Sequence, residues 1–230
     1  MLLLFLLLSG WAASHVTPSG HKDPQEVKAS NGLLDVVLEF GVGRQTNFPY
    51  TWYGRMYNGS TPGPTLRVNP GDRLRIKLVN TLGPNSPSDP AASNTFHSPN
   101  TTNLHLHGLH VSPSSNSDNV LSVAVQPGQS YTYEYLIPAE HPSGTYWYHP
   151  HYHGSAAFQI MSGAFGALIV EDLPSFDSSL LSIREHVIVL HYHNWLFMRN
   201  ISDTAPDPAC VRSSYGCCSD NFTAATGPLK

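Results

Sequence analysis

The clearest pattern in the chain has a period of two. Leu74, Ile76 and Leu78 alternate with Arg73, Arg75 and Lys77. Successive side chains of a strand point to opposite faces, so this stretch predicts a strand with one core face and one wet face. The apolar run at 33–40 predicts an earlier strand, and 51–57 another that ends in the Asn58-Gly59 turn. Pro62-Gly63-Pro64 turns into a strand at 65–68, and Pro70-Gly71-Asp72 turns into the alternating strand. Pro127-Gly128 introduces a strand at 131–137 whose Tyr131, Tyr133 and Tyr135 share a face, a stripe read as packing rather than redox chemistry. Residues 164–170 read as a buried closing strand. The Pro-, Ser-, Asn- and Asp-rich stretch 81–102 predicts a surface loop, and 112–119 a second polar loop. Short turns with almost no helical periodicity predict an all-β, Greek-key β-sandwich.

Composition narrows the picture. Of 230 residues, 40% are hydrophobic and only 12% charged, which favours a globular β fold. The net charge is −4 with no Lys/Arg cluster, so there is no basic face to neutralise phosphates and nucleic-acid binding is excluded as a function class. Leu2 to Leu8 form an apolar run followed by Trp11-Ala12-Ala13-Ser14, read as a secretory signal over 1–14. The run is too short to span a bilayer, so no membrane span is expected in the mature chain. Sequons at Asn58, Asn100, Asn200 and Asn221 agree with a secreted, extracellular glycoprotein. Residues 15–31 read as a polar leader, 32–173 as the domain, and 174–230 as a linker with the incomplete start of a second domain, whose first strand is 186–191. The three cysteines, Cys210, Cys217 and Cys218, allow one disulfide and leave an odd thiol whose partner lies elsewhere; adjacent Cys217 and Cys218 are poorly placed to bridge each other.

The candidate chemistry lies in two histidine pairs. Asn103-Leu104-His105-Leu106-His107-Gly108 opens one run, and Gly144-Thr145-Tyr146-Trp147-Tyr148-His149-Pro150-His151 closes another. Along a strand the two histidines of each pair share a face, with Cα atoms roughly 6.5–7 Å apart. Pairing the strands would bring His105, His107, His149 and His151 together, and neutral imidazole is the commonest metal ligand. Pro150 donates no ladder hydrogen bond and predicts an edge or a bulge that re-aims side chains. His153 continues the second face as an outer partner, whereas His110 has the wrong parity, and His97, His141, His191 and His193 read as structural or solvated. A three-histidine zinc site would leave the fourth clustered histidine unexplained. A cupin would need a glutamate soon after His107, and none follows.

These motifs resemble the N-terminal cupredoxin-like (plastocyanin-like) domain of the multicopper oxidases, the group of laccases, ascorbate oxidases, spore-coat and cuprous oxidases. Gly59-Ser60-Thr61-Pro62-Gly63-Pro64, Pro70-Gly71-Asp72 and the run from Gly163 to Asp172 support the likeness, which covers about 32–173. The resemblance implies an oxidoreductase in which His105 binds a type 2 copper, and His107, His149 and His151 bind a type 3 pair. It implies dioxygen reduced to water, a small reducing substrate, and a C-terminal cupredoxin domain or another subunit that supplies the other half of the ligands. Trp147 and Tyr148 would wall the site. A type 1 copper needs a cysteine thiolate beside histidines, and no cysteine precedes Cys210. The expectation is therefore the N-terminal portion of a secreted multicopper oxidase without its own electron-entry copper. The rival is a secreted copper-binding domain without turnover.

Overall fold

The computed structural model describes residues 23–45, 52–85, 95–171 and 185–192. Among them are nine strands in two sheets and one short helix. The strands are β1 (Glu26–Lys28), β2 (Leu33–Gln45), β3 (Trp52–Tyr57), β4 (Thr65–Val68), β5 (Arg73–Asn80), β6 (His105–His107), β7 (Ser130–Leu136), β8 (Gly144–His149) and β9 (Gly166–Val170); α1 is Ala156–Met161. One sheet has the order β1-β4-β9-β8-β6, the other β3-β2-β5-β7.

The period-two pattern drives the packing. β2 and β5 pair in parallel, setting Leu34 beside Leu74, Val36 beside Ile76 and Leu38 beside Leu78. All six are buried, while on the opposite face Asp35 pairs with Arg75. Leu66, Leu106, Tyr148, Leu168 and Val170 of the first sheet meet these residues and Tyr133 and Tyr135 of β7 in one core. Each such side chain stabilises the fold by about 1.5–3 kcal/mol on burial. The tyrosine stripe is packing, as expected: Tyr133 and Tyr135 stack at 5.9 Å, and the Tyr133 hydroxyl accepts the Leu104 N–H at 3.0 Å.

Four sequence readings change. Residues 26–28 lie within the supposed leader but form β1, parallel to β4; three residues are too few to show an alternation. Helix α1 is equally short and buries only Phe158 and Gln159, so it shows no helical period. Of the stretch read as a surface loop, His97, Asn100, Thr101 and Thr102 are buried. Polar groups tolerate burial when hydrogen-bonded: Gln159 donates to the Thr101 carbonyl at 2.7 Å, Asn80 to the Asn100 carbonyl at 2.7 Å, and Asn100 accepts from Arg55. Finally, 185–192 form no strand. That segment is held by polar contacts, with Glu185 on Arg67 at 2.6 Å and the Val187 N–H on Asp23 at 3.0 Å.

The signal at 1–14, the linker 174–183, Cys210, Cys217, Cys218, His193, Asn200 and Asn221 lie outside the described residues. No helix among the described residues is long and apolar enough to cross a membrane.

Candidate metal centre

β6 is an edge strand, and its antiparallel register with β8 builds the site. His105 faces His149, Leu106 faces Tyr148, and His107 faces Trp147. Directly opposed residues project to the same side of a sheet. His105, His107, Trp147 and His149 therefore share the outer face, and Leu106 and Tyr148 point into the core, both buried. Trp147 walls the site as expected, stacking at 4.0 Å on His149 and lying 5.0 Å from His107. Tyr148 does not: parity turns it between the sheets, where its hydroxyl donates to the Pro64 carbonyl at 2.7 Å.

The four predicted histidines converge. The His105 ring lies 5.4 Å from His107, 5.2 Å from His149 and 5.1 Å from His151. Donor atoms of His105, His107 and His149 all lie within 4.8 Å of one another. His151 stands beside this triad, 5.9 Å from the His149 ring and outside that donor set. β8 ends at His149, immediately before Pro150, and the strand spacing inferred for the second pair does not extend to His151.

Hydrogen bonds select the tautomers. The Asp118 carboxylate accepts from His105 Nδ1 at 2.8 Å and from the Leu106 N–H at 3.0 Å. The Pro150 carbonyl accepts from His149 Nδ1 at 2.8 Å. A carboxylate and a carbonyl only accept, so both Nδ1 atoms carry protons and each Nε2 keeps its lone pair. His149 Nε2 lies 3.2 Å from His107 Nδ1. Two nitrogens at about 2.0–2.1 Å from a tetrahedral ion would be separated by about 3.3 Å, so the spacing fits a shared cation. In the metal-free ring pair, a proton on His107 Nδ1 takes that place. Burial, with the neighbouring imidazoles adding to it, lowers the His149 pKa to about 4 and keeps the ring in the neutral form that ligation requires. An all-imidazole donor set suits borderline ions such as copper and zinc.

Asp118 is the residue that sequence reasoning missed. It follows His105 by 13 positions in a Ser- and Asn-rich loop, and no motif spacing marks it. His153 was expected beside the ligands, but its ring lies against His97, at 6.3 Å; beyond Pro150 the strand parity no longer applies. His141 is structural, accepting the His110 N–H at 3.0 Å and donating to the Pro142 carbonyl at 2.9 Å. His97 is buried against Tyr152, and the His191 ring packs at 4.5 Å on Phe165.

The multicopper oxidase family model matches residues 91–175. The chain is 31% identical over 146 residues to a multicopper oxidase of Staphylococcus haemolyticus, a match covering 63% of this chain and 28% of that protein. It is 33% identical over 187 residues to an iron transport multicopper oxidase of Epichloe festucae, covering 75% of this chain and 26% of that one. A solved multicopper oxidase of Campylobacter jejuni, described as a metallo-oxidase, superposes with a TM-score of 0.52 at 26% identity, over 66% of this chain and 29% of that one. The chain thus spans between a quarter and a third of the length of these relatives. Over part of its length, this chain is a cupredoxin-like domain of the multicopper oxidase family.

Proposed function

We propose that this chain is the N-terminal portion of a secreted multicopper oxidase and that His105, His107, His149 and His151 supply half of the ligands of a trinuclear copper cluster. The observation that carries the reading is the β6–β8 register, which sets His105 opposite His149 on one face. Asp118 and the Pro150 carbonyl support it by leaving Nε2 of both rings as lone-pair donors. His105 is the type 2 ligand, and His107, His149 and His151 serve the type 3 pair. Copper, when bound, supplies the electron-transfer chemistry by which dioxygen is reduced to water. The chain's own residues hold the rings in one tautomer and one orientation, and Trp147 shields one side of His149 and His107.

The remaining ligands and the type 1 copper belong to a C-terminal cupredoxin domain or to another subunit, since Cys210, Cys217 and Cys218 lack flanking histidines. Residues 174–230 would be the linker and the beginning of the next domain, and exposed Ile188, Leu190 and Tyr192 suit a segment that further chain covers. A small reductant, whether phenol, aromatic amine, ascorbate or low-valent metal ion, would be oxidised at that separate site. The apolar run at Leu2 to Leu8 supports secretion. Asn58 lies exposed in a turn and suits a glycan, whereas Asn100 is buried with its amide donating to the Gly83 carbonyl at 3.0 Å.

The test is copper stoichiometry with visible and EPR spectra on the purified chain. About one or two ions without an intense blue band, lost in His107→Ala and His149→Ala but kept in His97→Ala, is the expected result. Equal retention in all three variants overturns the ligand assignment. Oxygen uptake with a phenol by the chain alone overturns the need for further domains.

A further inference from the structure

Extending the β6–β8 register by one in-phase pair would set Asn103 opposite His151. β8 ends at His149 before that pair forms, so the His151 N–H, which faces β6, has no ladder acceptor there. The Asn103 side chain takes over: its Oδ1 accepts the His151 N–H at 2.7 Å. The same amide donates from Nδ2 to the Val120 carbonyl at 3.0 Å and to the Val123 carbonyl at 3.3 Å. Those carbonyls belong to the loop that carries Asp118, and Asn103 itself leads directly into His105. Asn103 is fully buried and both polar atoms of its side chain are engaged.

We propose that Asn103 is a positioning residue for the metal centre, a single side chain that sets His105, the Asp118 loop and His151 relative to one another. The inference rests on the metal-centre reading above. The amide is chemically specific to the task. Aspartate would keep the acceptor and lose both donors, and leucine would fill the volume with neither. Groups that orient metal ligands are worth about 10–100-fold in metal affinity, so Asn103→Leu and Asn103→Asp should each weaken Cu(II) binding by about that factor.

A structural asparagine provides the control. Asn80 is equally buried, donates to the Asn100 and Val125 carbonyls and accepts the Leu82 N–H, with no contact to the histidines. Cu(II) affinity is measured on the full chain by competition with a chromophoric chelator, alongside amide hydrogen exchange in the metal-free chain. The expected result is at least tenfold weaker Cu(II) binding in the Asn103 variants and affinity within about twofold of wild type in Asn80→Leu. In the metal-free chain, the His151 amide should exchange at least tenfold faster in Asn103→Leu and keep its protection in Asn103→Asp. Should Asn103→Leu not fold, Asn103→Asp carries the affinity test alone. Unchanged affinity in a folded Asn103 variant, or equal losses at positions 103 and 80, overturns the positioning role while the metal centre stands. Equal Cu(II) affinity in wild type and His107→Ala overturns the centre, and with it this inference.

Discussion

At the scale of single residues, Asp118 and Pro150 decide which nitrogen of each ring is available. Removing the carboxylate in Asp118→Ala leaves His105 free to turn and to change tautomer, which should weaken Cu(II) binding by about 10–100-fold. Asp118→Asn keeps an acceptor oxygen and should lose less; chelator competition measures both, and an unchanged Asp118→Ala would refute the role. His149 makes a second prediction. Its folded pKa, about 4, lies below the ordinary 6.5. Below the ordinary value the unfolded chain takes up a proton that the folded chain refuses. Stability contributed by the neutral ring is therefore complete above about pH 6.5 and lost as pH falls towards 4. Between pH 7 and pH 5 this loss is about 2 kcal/mol for the metal-free chain. Urea unfolding at the two pH values should show a smaller pH-dependent loss in His149→Leu than in wild type, and equal losses would contradict the burial argument.

At the scale of elements, β8 works by separating its two faces. Trp147 and His149 go outwards and Tyr148 inwards, against β9. A Cβ placed on Gly166 would meet the Tyr148 ring at 2.3 Å, so the ring occupies the space that a β9 side chain would need. Gly166→Ala should therefore cost about 1–3 kcal/mol, as overpacking does in tight cores. Thermal unfolding of the metal-free chain would show it as a lower midpoint, and an unchanged midpoint would mean that β8 and β9 can part at no cost. The histidine pairs were legible because a period of two is local, and so was the core face of β5. Strand parity also distinguishes Trp147 from Tyr148, yet only the β6–β8 pairing shows which parity faces the core. Asp118 had no such local signature. Its role comes from a loop folding back over β6, and chain spacing carries no trace of that.

At the scale of the whole molecule, Arg67 ties distant parts of the chain together. Its guanidinium is buried and meets Glu26 of β1, Glu171 just after β9 and Glu185. Those carboxylates hold its pKa above the usual arginine value, outweighing the opposing effect of burial. Arg67→Ala should release 185–192 from the sandwich while leaving the histidine face intact. Hydrogen exchange should rise in that segment, with Cu(II) affinity within about twofold of wild type; unchanged exchange would show that the Asp23 hydrogen bonds and the His191–Phe165 ring contact hold it without the ion cluster.

The sequence alone determined the strands at 33–40, 65–68 and 73–78, the sandwich class, and the candidate set of four histidines, because alternation and the His-x-His spacing are properties of neighbouring residues. Tertiary structure decided the rest: β1 as a parallel partner of β4, the buried course of 97–103, the inward turn of Tyr148, the place of Asp118 and the docking of 185–192 without a strand. Each of these depends on which surfaces meet across long loops, and a pairing between distant segments is a property of the folded whole that no local period encodes.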